Sequence, residues 1–199
     1  GLYTYAQSTD SVAIGRSTTS SNKGGVCIGR GNFGTNMYST AVGTNAQPHF
    51  DYSSCFGTYS VTRDTNAVSI GHASYVGFNA KYGISIGYFS QCAGNNDNGI
   101  AIGVRNTCAG DNIVIGRRAL TSLPKGIAIG HGDSVMDRSY VNGNNSLSLG
   151  FKTFTLGLNL TTIGYNLINR SQDAIVIGQN SAVEFITTPI TIGNGATDI

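Results

Sequence analysis

Glycine returns along this chain at a nearly fixed step, each time closing a short run in which two apolar residues flank a small one. The run reads Val12-Ala13-Ile14-Gly15 at its first occurrence, Val26-Cys27-Ile28-Gly29 at its second and Ile190-Thr191-Ile192-Gly193 at its thirteenth. The closing glycines are Gly15, Gly29, Gly43, Gly57, Gly71, Gly87, Gly103, Gly116, Gly130, Gly150, Gly164, Gly178 and Gly193. The steps between them are 14, 14, 14, 14, 16, 16, 13, 14, 20, 14, 14 and 15 residues. Repetition at such a period dictates stacked units, none of which can bury its own apolar face alone. The expected fold is all-β: a parallel β-roll or solenoid of about 13 coils of ~14 residues, covering roughly residues 8–193 of a single domain spanning 1–199.

Aligned on the glycines, the residues fall into columns. Immediately before glycine stand Ile14, Ile28, Val42, Phe56, Ile70, Ile86, Ile102, Ile115, Ile129, Leu149, Ile163, Ile177 and Ile192. Most residues three before glycine are also aliphatic, and a period of two puts both columns on one face of a strand. The residue two before glycine, on the opposite face, is small in every coil. Asp10, Asn66, Asn98, Asp111, Asn145, Asn159 and Asp173 stand five before glycine, which is corner chemistry, since Asx side chains bond the local backbone and tolerate tight turns. Small residues recur three after glycine (Thr18, Ala46, Ser60, Ser74, Ser90, Ala119, Thr153, Ser181) and mark a second strand. So short a perimeter leaves room only for a flattened roll with a core of small side chains.

A strand apolar on both faces must be covered on both sides. No helical periodicity supplies a cover, and an aliphatic ladder left open would far exceed the apolar patch a monomer tolerates. Another copy of the chain must therefore cover it, so the expectation is an obligate oligomer. Charged residues make up 11 % of the chain and the net charge is +2 without a basic block, which disfavours capture of nucleic acid. No apolar run approaches the ~18 residues of a membrane-inserted span.

Cys27 and Cys55 fill the small slot two coils apart, about 9.6 Å at the ~4.8 Å strand spacing, too far to bridge. Cys92 and Cys108 occupy equivalent positions in consecutive coils, so a disulfide is geometrically open to them. Stacked buried thiols are the alternative and the preferred reading.

Ser11-Val12-Ala13-Ile14-Gly15, Gly99-Ile100-Ala101-Ile102-Gly103 and Gly126-Ile127-Ala128-Ile129-Gly130 resemble the head repeats of trimeric autotransporter adhesins, which are similar to repeats in bacteriophage tail fibres. The resemblance covers residues 8–193. It implies a left-handed parallel β-roll, three copies of which associate side by side with the aliphatic columns toward the threefold axis. Ile14, Ile28, Ile70, Ile86, Ile102, Ile115, Ile129, Leu149, Ile163 and Ile177 then form the trimer seam, and the partners are two further copies of the chain. Four cysteines are awkward for export through an oxidising compartment and harmless to a virion protein assembled in reducing cytoplasm. The viral fibre therefore stands ahead of a bacterial cell-surface head. On this reading the chain is a non-enzymatic segment of a longer fibre that attaches to a host receptor, polysaccharide or surface protein. A structural spacer is the rival from another class.

No site for chemistry is expected: no catalytic residues, no cofactor and no metal. The nine Asp and one Glu show no column that pairs two carboxylates. His72 and His131 follow repeat glycines in a column shared with Arg16, Arg30 and Arg117, which reads as a solvated corner rather than an anion or metal stripe. Asn95-Asn96-Asp97-Asn98-Gly99 lacks the alternating carboxylates and closing Glu of a calcium loop and reads as a widened corner. Eleven of the eighteen aromatic residues fall between Phe33 and Phe89. Tyr38, Tyr52, Tyr75, Tyr82 and Tyr88 are the candidate contacts, because rows of exposed Tyr supply rigid amphipathic surface. The longest excursion, residues 131–146, adds Asp133, Asp137, Arg138 and Tyr140, since insertions in stacked repeats emerge as loops, often on the binding face.

Overall fold

The computed structural model describes residues 1–93, 97–187, 190–195 and 197–198. It divides into two units, residues 1–99 and 100–199. Each is a parallel β-solenoid, and together they contain about thirteen coils. Every described regular element is a strand.

In the first unit the glycine-closed strands are Val12–Arg16, Val26–Arg30, Thr40–Thr44, Ser54–Thr58, Val68–Ile70 and Ile84–Ile86. They pair in parallel, glycine on glycine: Gly15 opposite Gly29, Gly29 opposite Gly43, Gly43 opposite Gly57. Second strands, among them Thr18–Ser20, Val61–Thr62 and Tyr75–Val76, form the return layer of each coil. The ladder begins earlier than the expected residue 8. Thr4–Ala6 pairs with Thr18–Ser20 and is itself the second strand of a preceding coil, with Gly1 in the glycine column. In the second unit the glycine-closed strands run from Ile100–Val104 through Ile113–Arg117 and Ile127–His131 to Ile190–Asn194. Two strands, Leu147–Thr155 and Thr161–Gln172, continue round the corner without a break.

The glycines are required by backbone contact. Gly116 has φ +129, and a Cβ built on it would strike the carbonyl oxygen of Gly130 in the next coil. The same clash recurs from Gly15 to Gly29, so adjacent coils are too close here for any side chain.

Both corners are left-handed. Five before glycine, Asp10, Asn66, Asn98, Asn145, Asn159 and Asp173 have φ between 53° and 69°, as the Asx pattern predicts. Asp111 is the exception. Its coil is one residue short, and Gly110 takes the turn instead, at φ 86°. A second left-handed column lies two after glycine and, besides Gly31, Asn45, Asn166 and Asn180, holds residues with no turn preference, among them Tyr59, Ala73, Phe89, Arg105 and Arg118, these five with φ between 50° and 57°. For a bulky L-residue that conformation costs about 1–2 kcal/mol. The ladder imposes it, because corner N–H groups still donate to the preceding coil: Tyr59 to the Thr44 carbonyl at 2.9 Å, Arg118 to that of Val104 at 2.8 Å.

The core is built from inward columns of small side chains. Cys27, Ala41, Cys55 and Ser69, two before glycine, are fully buried, as are Ala46, Ser60 and Ser74 three after it. Hydroxyls pair with each other there: Ser60 donates to the Ser69 hydroxyl at 2.9 Å, and Ser74 to the Ser85 hydroxyl at 3.0 Å. Two of the four asparagines buried among the described residues stand three after a repeat glycine. Asn32 donates to the Ile28 carbonyl at 2.7 Å and accepts from the Ala46 N–H at 2.9 Å; Asn106 accepts from the Ala119 N–H at 3.0 Å. Each Asn thus fills the space left by an alanine in the following coil while pairing its own polar atoms. Farther along the second unit, Leu160, Leu167, Val176 and Val183 make the core more aliphatic.

The alternate face of each glycine-closed strand points outward, and it is apolar. Ile14 is 56 % exposed, and Ile28, Ile70 and Ile129 are exposed as well. Ile86, Ile102, Ile115, Leu149, Ile163 and Ile177 are shielded only in part, by their ladder neighbours.

The 131–146 excursion is shorter than its spacing implies. Ser139 is buried in the column that Ala119 and Thr153 occupy, and Tyr140–Val141 is a regular second strand paired with Leu120 and Thr121. The six inserted residues are confined to 133–138. The insertion thus falls at a corner and leaves the ladder intact, whereas the extra residue of the last step enters as a register shift between Arg170 and Gln172, where Thr161–Gln172 pairs with Ala182–Thr187.

Candidate functional site

In the first unit the aromatic residues gather at both edges of the coil. Tyr38 and Tyr52, five before glycine in consecutive coils, stack with ring centroids 5.3 Å apart. Both are exposed. Tyr82 holds the same left-handed corner farther along, with the Lys81 ammonium 5.0 Å from its ring. At the opposite edge the rings of His72 and Tyr88 stack at 5.4 Å, with Phe89 edge-on to Tyr88 at 4.7 Å and Tyr59 edge-on to His72 at 6.1 Å. Tyr75 is not at a corner. It lies half-buried in the strand Tyr75–Val76, 5.7 Å from the Arg63 guanidinium, which also sits 5.2 Å from Phe78. The five candidate tyrosines therefore belong to three groups rather than one row. Tyr59 and Phe89 were missed because their column has no common residue type. His72 is exposed, and its ring also joins an aromatic cluster with Tyr59 and Tyr88.

The neighbouring His49 ring is held below the usual imidazole range, first by burial and then by the Arg63 charge. Burial likewise pushes the Cys27 and Cys55 thiols up. All four cysteines are buried and carry thiols rather than disulfides.

In the second unit the equivalent columns hold a different chemistry. Asn145 donates to Asn159 at 3.2 Å and Asn159 to Asp173 at 2.7 Å, an amide ladder in the column that carries tyrosine in the first unit. Directly after the glycines, Arg117, His131, Phe151 and Tyr165 form a continuous stack. Arg117 Nη1 lies 3.3 Å from His131 Nε2, His131 stacks on Phe151 at 6.2 Å, and Phe151 on Tyr165 at 5.4 Å. Cations of this column do meet in adjacent coils, since Arg117 pairs in register with His131 and Arg16 with Arg30.

The insertion candidates separate. Asp133 forms an ion pair with Arg117 at 2.7 Å and remains exposed. Asp137 accepts a bond from Ser134 Oγ at 2.7 Å and so fixes the insertion itself. Arg138 lies 4.8 Å from the Tyr140 ring, and Tyr140 is 3.2 Å from Ser122 Oγ on the outer face of its strand.

Other carboxylates are tied into corners. Asp51 accepts from the Met37 N–H at 2.8 Å, and Asp64 from the Thr65 and Ala80 N–H groups at 2.7 and 3.1 Å. Glu184 pairs with Arg170. Among the described residues no group of three or more His, Cys, Asp or Glu gathers as a metal site would require. Asn95 and Asn96 lie outside the described residues. In comparison with known proteins, no family model and no curated sequence matches the chain.

Proposed function

We propose that the chain is a non-enzymatic, homotrimeric fibre domain that presents a host-attachment surface, as a segment of a bacteriophage tail fibre in the virion. The observation that carries this reading is the division of labour between columns. The outer column before the repeat glycines is apolar in each unit and exposed or only partly shielded in the single chain, as a surface made to be covered would be. A shallow apolar depression of about 700 Å³ beside it, lined by Ile115, Ile129, Leu149 and Phe151, gives a neighbouring copy side-chain sockets. The partners for this face are two further copies, arranged as the left-handed head repeats imply. The corners bear exposed aromatic groups, the kind of surface that proteins and polysaccharides bind.

Virion assembly stands ahead of a bacterial cell-surface head because four buried thiols suit a chain that folds in reducing cytoplasm. The test is adhesion of labelled protein to host cells, compared with Tyr38→Asn and Tyr52→Asn variants of the same oligomeric state. Loss of adhesion in the variants supports attachment through this surface. A parent that does not adhere at all makes the segment a spacer.

A further inference from the structure

Five arginines belong to the second unit, and they divide in two. Arg117 and Arg170 pair with Asp133 and Glu184. The other three, Arg105, Arg118 and Arg138, meet no carboxylate among the described residues and line one groove of about 450 Å³. The fold delivers them there by two routes. Arg105 and Arg118 stand two after glycine in consecutive coils, on left-handed corners with φ 55° and 56° that aim both side chains to the same side. Arg138 closes the inserted segment, whose Asp137 is occupied by Ser134. Leu120 and Val135 supply an apolar wall between the cations. Arg138 Nε is buried with no hydrogen-bond acceptor, although a guanidinium donor out of water ordinarily finds one.

We infer that this groove is a binding site for an acidic saccharide, with a carboxylate or sulfate held by the three guanidinium groups and a sugar ring laid on Leu120 and Val135. Three arginines without a counter-charge define an anion site, since the planar fork matches a carboxylate or sulfate with two parallel bonds. The apolar wall and the groove's size accommodate a ring as well as the anion. Such a site adds a charged contact to a chain whose low overall charge points to none. It takes its partner from the attachment reading but is tested apart from it.

The experiment titrates the intact protein with a sialylated trisaccharide, a sulfated disaccharide, neutral lactose and inorganic phosphate, following intrinsic fluorescence and calorimetry. Arg118→Asn and Arg105→Asn keep the corner, because Asn45, Asn166 and Asn180 occupy the same left-handed position elsewhere. Arg138→Gln keeps the length and removes the charge. The expected result is binding of an acidic sugar but not of lactose, weakened about tenfold or more by each substitution and weakened by salt, with light scattering and circular dichroism unchanged.

Equal affinity for phosphate and for the acidic sugars overturns the saccharide class. Unchanged binding in all three variants overturns the site. A change of oligomeric state in the variants also overturns it, since the arginines would then hold another copy of the chain. Arginine-dependent sugar binding by a protein that does not adhere to cells leaves the site standing and removes the attachment reading; adhesion without sugar binding does the reverse.

Discussion

Tyr38 and Tyr52 stack with their ring planes 16° apart while both stand on left-handed backbone, at φ 55° and 57°. Their column elsewhere carries Asp10, Asn66, Asn145, Asn159 and Asp173, the residue types that tolerate this conformation best. A ring pair contributes about 0.5–1.5 kcal/mol, no more than the backbone cost of placing two tyrosines there. Stability alone gives no reason for the choice.

Tyr38→Asn and Tyr52→Asn should therefore leave thermal stability within about 1 kcal/mol of the parent, or raise it, while lowering adhesion to host cells. Differential scanning calorimetry and a cell-binding assay on the same samples check this. A large loss of stability would mean that the stack is structural.

Gly116→Ala tests the close approach of coils. With φ +129 and the Gly130 carbonyl in the way, the new methyl has no room. We expect a loss of about 3 kcal/mol or more, read as a lower denaturation midpoint at fixed protein concentration. Asn180→Gly, at a left-handed corner that glycine suits equally, should shift the same midpoint by less than about 1 kcal/mol.

Deleting residues 133–138 should restore a 14-residue step, with Gly132 two after Gly130 and Ser139 three after it. Gly31 already serves at the first of these positions with φ 65°. The variant is expected to keep the parent's β-sheet circular dichroism spectrum and lose binding that depends on the insertion. Unfolding would show that the insertion braces the solenoid.

The thiols give a pH test. Burial raises the Cys55 and Cys27 pKa values, so the folded state favours the protonated thiol. That contribution is complete below the ordinary thiol range of about 8.5 and is lost as pH rises through the raised folded values. The unfolding midpoint should fall between about pH 8 and pH 10, and fall less in Cys55→Ala. Thiol titration at about pH 8 should find four groups per chain after denaturation and slow reaction before it. Two groups after denaturation would mean that Cys92 and Cys108 are bridged.

The glycine step, the small inward columns and the Asx corners could be read directly, because each is a geometric demand that only a few residue types meet. The second left-handed corner could not. Its conformation is imposed by hydrogen bonds between coils, as from Tyr59 to Thr44, and it accepts Tyr59, Ala73 and Arg118 alike. For the same reason Arg105 and Arg118 passed unnoticed, although their shared offset from consecutive glycines was visible in the sequence. The insertion was overdrawn because Tyr140–Val141 is too short a strand to show alternation. Asn32 and Asn106 were missed in the core because nothing in an isolated Asn shows that an alanine in the next coil makes room for it.

The claim on which the rest depends is that the outward aliphatic ladder is covered by two further copies of the chain. In a single chain Ile129 is exposed enough to accept a charge, so Ile129→Asp separates the cases. Light scattering of the parent should give three times the 20.7 kDa chain mass. Ile129→Asp, and equally Ile102→Asp, should abolish that species, because a carboxylate in a packed apolar seam costs several kcal/mol per copy. A parent that is folded and soluble at the mass of one chain, or an Ile129→Asp variant that assembles as the parent does, would contradict it.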